Sequence, residues 1–209
     1  MATDPNQMYR WRKLNEDQRK AVLERRQQEH RPWHSPPHYE SESTTCYMIT
    51  AACFEHRHVI GHSQERMATF ERDLVEVLTA RSTSAFAWCV LPNHYHALVD
   101  TPSVKQLLAD LGRLHGKSSF TWNGEEDGRG RQIWCNAAET AMKSEGHYYA
   151  SLNYVLNNAV HHGYIKLWTD WPYCNAKEYI EAIGRDKAKR IWLSYPLHDY
   201  GKDWDPANL

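Results

Sequence analysis

From Thr45 onward, short apolar runs alternate with apolar residues at helical spacing. Tyr47 to Phe54 is β-prone and largely apolar, which predicts a buried strand. Ser63 stands where a helix cap belongs, with Glu65 in the first turn. Met67, Phe70, Leu74, Val75 and Leu78 then recur at helical spacing and give that helix a core face. Ala85 to Leu91 reads as a second strand. Pro92-Asn93 marks a turn, His94 to Asp100 reads as a third strand, and Thr101-Pro102-Ser103 stops it. Val104, Leu107, Leu108, Leu111 and Leu114 predict another amphipathic helix. Asn123 to Gly130 reads as a loop and Gln132 to Trp134 as a short fourth strand. A last helix runs from about Ser144 to His162 and stops at Gly163, a good residue just past a helix end. Strand, helix, strand, strand, helix, strand, helix predicts an α+β sandwich with an antiparallel sheet and helices on one face.

Residues 1–40 differ in character. The stretch from Glu16 to Glu29 has helical potential but a thin apolar face, and Pro32, Pro36 and Pro37 prevent the helix from continuing. Arg10, Arg12 and Lys13 make this segment mildly basic, with Trp11 and Trp33 nearby. The expected organisation is an arm at 1–40, a principal domain at 41–182 and a C-terminal tail at 183–209.

Composition narrows the class. The 209 residues are 41% hydrophobic and 24% charged, which suits a packed soluble domain and excludes wholesale disorder. A net charge of −1 excludes a strongly basic, histone-like binder but leaves room for a local basic groove. No apolar run approaches the roughly 18 residues of a membrane span, and no signal-peptide core is visible, so a cytoplasmic location is expected. The five cysteines form no C-x-x-C pair and read as reduced thiols, mostly buried.

The candidate chemistry lies in histidines. Thirteen His in 209 residues supply roughly one His-x-His triplet by chance, so context decides. His56-Arg57-His58 sits in a charged loop and reads as solvated surface. His94-Tyr95-His96 sits in an apolar strand, where period-two geometry turns both imidazoles to one face. Such a pair can chelate a divalent ion, or be two hydrogen-bonded structural histidines. On the last helix, about 100° per residue places Tyr148, Leu152, Val155 and Ala159 on a core stripe. His147, Ser151, Tyr154, Asn158, His161 and His162 share a polar stripe, with Tyr154 and Asn158 neighbours at i, i+4. That stripe gains meaning only if it meets the His-x-His strand.

LPNHYHALV followed by a helix, and a later helix reading YVLNNAVHHGYI, resemble the HUH single-tyrosine transposases, and most the REP-associated tyrosine transposases. The usual pattern there is a PNHxH strand and a later Y-I-x-x-N-P-V segment. WPYCNAKEY resembles that family's W-P-x-S-S-x-x-x-Y tail motif, so the likeness covers roughly Tyr47 to Tyr179. This chain departs at Val155 for Ile, Ala159 for Pro, and Cys174-Asn175 for the paired Ser. The resemblance implies a ferredoxin-like domain with both His on a central strand. It implies His94, His96 and Asn158 as ligands of Mg²⁺ or Mn²⁺, and Tyr154 as the nucleophile of a 5′-phosphotyrosine intermediate. The implied partner is single-stranded DNA near a hairpin or REP-type repeat, bound by a monomer or homodimer associated with the nucleoid when on DNA.

Arg113, His115 and Lys117, with Arg10, Arg12 and Lys13, are candidate phosphate contacts, and Trp11, Trp33 and Trp122 candidate stacking platforms. Three other readings compete: a noncatalytic DNA-binding descendant of the same fold, a His-based phosphohydrolase, and a protein using metal-bound histidines structurally. The set His94, His96, Tyr154 and Asn158 argues against the first, and Leu98 replaces the third alternating His the second would want.

Overall fold

The computed structural model describes residues 45–197 and 200, together with isolated positions 15, 17, 18, 20, 21 and 24. The chain divides into two compact units, Met1–His38 and Tyr39–Leu209. In the first, Asn15 and Gln18 exchange side-chain bonds to each other's backbone N–H (2.9 and 3.0 Å), a reciprocal helix cap. The second unit holds the sheet.

That sheet contains β1 (Cys46–Ala52), β2 (Ser84–Val90), β3 (His94–Asp100) and β4 (Ala138–Ala141). The order is β2-β3-β1-β4 and every pairing is antiparallel. With α1 (Gln64–Arg81) between β1 and β2, and α2 (Val104–Glu125) between β3 and β4, this is a ferredoxin-like α+β sandwich, as expected. Both helices are capped by serines: Ser63 Oγ accepts from the Arg66 N–H and Ser103 Oγ from the Gln106 N–H.

Alternation along the strands divides the core. Tyr47, Ile49 and Ala51 of β1 and Tyr95, Ala97 and Val99 of β3 pack with Phe70, Leu74, Leu107 and Leu111 under α1 and α2. Met48 and Leu98 face the other way, against α3 (Glu145–Leu156) through Leu152 and Val155. Thus α1 and α2 share one face, and α3 covers the opposite one. After it come α4 (Asn158–His161), α5 (Ala176–Ile183) and α6 (Arg185–Ser194).

The structure corrects three expected boundaries. The fourth strand is Ala138–Ala141, while Trp134 contributes one isolated bridge to Cys53. Ile133 and Trp134 are apolar because they fill the core, where Trp134 stacks on Phe70. The helix α2 continues to Glu125, its end held by the buried Arg66 guanidinium, which donates to Glu125 and Glu126 at 2.6 Å each. The last predicted helix is two helices, interrupted at Asn157 (φ −100°, ψ 8°). Gly163 does end it, at φ 75°.

Candidate active site

The central strand β3 carries the candidate ligands. His94 and His96 lie two residues apart, and their rings stand 5.1 Å apart on the α3 side of the sheet. Both are buried. His94 Nδ1 sits 2.7 Å from Asn93 Oδ1, and Asn93 Nδ2 donates to the His56 carbonyl at 3.1 Å. His96 Nδ1 sits 2.8 Å from Thr50 Oγ1, and Thr50 is its register partner on β1. Partners on Nδ1 orient both rings, an arrangement in which Nε2 could serve as a ligand atom. Thr50 and Asn93 were not legible as site residues; Thr50 becomes visible only once register is known.

The loop before β3 is tightly built. Gly61 donates its N–H to the Pro92 carbonyl at 2.9 Å, and a Cβ on Gly61 would meet Pro92 Cβ at 2.4 Å. Only glycine permits this approach, which seats the Pro92-Asn93 turn. The His56-Arg57-His58 loop, read as surface, has a supporting role: Glu55 and His56 take positive φ (56° and 50°), and the His56 carbonyl receives Asn93.

Helices α3 and α4 bring the remaining pair. Ser144 caps α3, its Oγ accepting from the His147 N–H. The Tyr154 ring lies 5.1 Å from the His96 ring, and Asn158 Oδ1 lies 3.1 Å from His94 Nε2. The polar stripe thus meets the His-x-His strand, and Tyr154, Asn158 and Ser151 are buried there rather than solvated. The break at Asn157 falls between tyrosine and asparagine, although Ala159 stands where a proline would impose it. The structure therefore brings Tyr154, His94, His96 and Asn158 into one cluster.

The donor set fits a divalent cation. With Nδ1 beside Asn93 Oδ1, His94 Nε2 faces the Asn158 carboxamide oxygen. Two adjacent ligands on an octahedral ion with bonds of about 2.1 Å lie about 3 Å apart, close to the observed spacing. Asn158 Nδ2 is buried without a hydrogen-bond partner, a cost that holding a ligand oxygen in place would explain. Among the described residues no three His, Cys, Asp or Glu side chains form a metal cage.

Tyr195 and Tyr200 pack against the helix that carries Tyr154. Tyr195 stacks on Tyr149 (4.8 Å), and its carbonyl accepts from Asn153 Nδ2 at 2.8 Å. The Tyr200 ring lies 5.9 Å from that of Tyr154, and its hydroxyl meets Ser151 Oγ. The WPYCN stretch lines the free edge of β2. Trp171 Nε1 donates to the Val90 carbonyl at 2.8 Å, and Val90 N–H donates to the Tyr173 carbonyl at 2.9 Å. Asn175 Oδ1 accepts from Trp88 N–H and its Nδ2 donates to the Phe86 carbonyl. The motif's role, obscure in the sequence, is to cover an exposed sheet edge.

The candidate DNA contacts fare differently. Arg10, Arg12 and Lys13, with Trp11 and Trp33, lie outside the described residues. Arg113 and Lys117 are exposed on α2 but pair with Asp110 and Asp73, the latter at 3.3 Å. The structure places His115 in the core, stacked on Trp134 (4.2 Å, 13°) with Nε2 3.1 Å from the Tyr95 hydroxyl. Trp122 is also core, under the Arg66 guanidinium. A groove of about 480 Å³ between α1 and α2 lies on this side too, and its Arg66, Lys117, Asp73 and Glu126 neutralise one another. The cysteines are free thiols; burial pushes Cys53 up to about 12, which makes it inert. Among the described residues no helix is long and apolar enough to cross a membrane.

No family model and no curated protein matches the chain. Among solved structures it is similar to a REP-associated tyrosine transposase bound to a REP hairpin. The TM-score is 0.52 at 18% identity, over 77% of this chain and 87% of that one. The ferredoxin-like sandwich that frames His94, His96, Tyr154 and Asn158 is therefore the fold of that transposase.

Proposed function

We propose that this protein is a metal-dependent endonuclease and strand transferase of single-stranded DNA, acting near hairpins through a 5′-phosphotyrosine intermediate. The observation that carries this reading is the convergence of Tyr154, from a helix, on an imidazole pair and an amide from other elements. The similar transposase, solved with a REP hairpin, supports hairpin DNA as the partner class.

His94, His96 and Asn158 would hold Mg²⁺ or Mn²⁺, which supplies Lewis-acid polarisation of the scissile phosphate. Asn93 Oδ1 accepts from His94 Nδ1 in the tautomer that offers Nε2, and Thr50 Oγ1 orients the His96 ring. Tyr154 Oη attacks phosphorus, and its phenolic proton passes to a base or bound water. The P–O3′ bond breaks, and the departing 3′ oxygen takes a proton. The phosphotyrosine conserves the bond energy, so a second 3′-OH can reverse the step without ATP. Tyr154 is fully buried, with the Tyr200 ring 5.9 Å from its own, so a strand reaches it only when covering side chains move aside.

The test is a cleavage assay on hairpin-bearing single-stranded oligonucleotides, resolved on a denaturing gel. Wild type with Mn²⁺ gives a covalent protein–DNA band; EDTA or Tyr154→Phe removes it. DNA binding without adduct on any flanking sequence would favour the noncatalytic binder instead.

A further inference from the structure

We infer that the exposed stripe Arg185, Lys189 and Trp192 on α6 is a docking surface for single-stranded DNA, which the two cations hold by phosphate and the indole by base stacking. This rests on the DNA-acting reading above and adds a surface to it.

The charge pattern comes first. Helix α6 carries Arg185, Lys187, Lys189 and Arg190 against the single acid Asp186, in a chain whose net charge is −1. All four cations are exposed, and none makes an ion pair or hydrogen bond with another described residue. On α1 and α2, apart from Lys105, the pattern is the reverse: Arg66, Arg72, Arg81, Arg113 and Lys117 are each engaged by a carboxylate. Cations with no acidic partner among the described residues hold a counterion atmosphere that a polyanion can displace. Arg185 also stands in the first turn, where the helix dipole is positive and an anionic ligand is favoured.

The apolar pattern comes second and independently. Arg185, Lys189 and Trp192 stand at i, i+4 and i+7, within about 60° on the helix surface. Ala188 and Ile191 take the inward side. Trp192 is 38% and Leu193 66% exposed, two of the four large exposed hydrophobics among the described residues. A partly exposed indole at the end of a row of cations offers a π-face to an unpaired base, whatever its identity.

Position ties the stripe to the site. Tyr195, three residues beyond Trp192, is stacked on Tyr149 and bonded to Asn153, the neighbour of Tyr154. The end of α6 therefore lies beside the helix that carries Tyr154.

The test is fluorescence anisotropy of a labelled 20-nucleotide single strand across a KCl series, with full-length protein and circular dichroism melts as a folding control. Arg185→Ala/Lys189→Ala lowers affinity at least fivefold and flattens the salt slope by about 1.4, since each lost single-strand contact removes about 0.7. Trp192→Ala lowers affinity about tenfold with an unchanged slope, and Trp192→Phe restores most of it. Lys105→Ala, an exposed cation on α2, changes neither. Wild-type affinity and slope in the double variant would overturn the assignment, as would absence of binding by the wild type. Stripe-dependent binding to phosphatidylserine vesicles in place of DNA would overturn it too. Cleavage is read in parallel: stripe-dependent binding without adduct keeps the surface and removes the chemistry, and adduct with stripe-independent binding does the reverse.

Discussion

On one face of β3, Tyr95 meets His115; on the other, His96 meets Tyr154. The same two residue types, on opposite sides of one strand, have opposite fates. The Tyr95–His115 pair lies among Phe70, Trp122 and Trp134, and each partner satisfies the other. Burial pushes Tyr95 well above the usual phenol range and His115 down to about 4, so both are neutral packing groups near neutral pH. The His96–Tyr154 pair is surrounded by Thr50, His94, Asn158 and a second tyrosine, Tyr200. One of those neighbours, Asn158, keeps a buried donor unsatisfied. A histidine beside a tyrosine is thus no sign of chemistry; converging lone pairs on oriented rings are.

Substitution separates the two faces, and the largest effect belongs to the ligands. His94→Ala or Asn158→Ala lowers metal-dependent adduct formation per folded molecule by more than the roughly 100-fold that outer partners contribute. His115→Ala does the reverse: it leaves the Tyr95 hydroxyl unpaired beside a void and costs about 2–4 kcal/mol of stability, with cleavage per folded molecule retained. If His115→Ala abolished cleavage in folded protein, the division of labour between the faces would be wrong. Thr50→Val has the next largest effect. It keeps a β-branched residue in β1 but removes the oxygen that orients His96, and weakens Mn²⁺ binding about 10–100-fold by calorimetry. An affinity within twofold of wild type would mean that packing alone holds the ring.

Local periodicity carried much of this arrangement into the sequence. Period two put His94 and His96 on one face, and period 3.6 put Tyr154 above Asn158; both are properties of single elements. Long-range pairing was not legible. Thr50 precedes His96 by 46 residues and joins it only through the β1–β3 register. Asn175 reaches the edge of β2 from 87 residues away. The fourth strand was misplaced because Ile133 and Trp134 are more strand-like than Ala-Glu-Thr-Ala, which is a strand only because β1 pairs with it. Sequence proximity groups His115 with Arg113 and Lys117. Residues two apart on a helix do not share a face, and here the cations point out and the imidazole in.

The smallest effect sharpens the contrast by pH. The His115 imidazole is held neutral by burial, to about 4 against an ordinary 6.5. A depressed folded-state value means that the unfolded chain takes up this proton first as the pH falls. The contribution of His115 is therefore fully present above about pH 6.5, declines as pH drops, and is gone below about 4. Between pH 7.5 and 5.5 this one group removes on the order of 1 kcal/mol. His115→Phe keeps an aromatic ring to stack on Trp134 and has no proton to gain. Its loss of denaturation free energy over that interval, measured by urea titration at both pH values, is expected to be smaller than wild type's by about that amount. Equal losses in the two proteins would place the acid sensitivity elsewhere and leave the aromatic face without a titrating group.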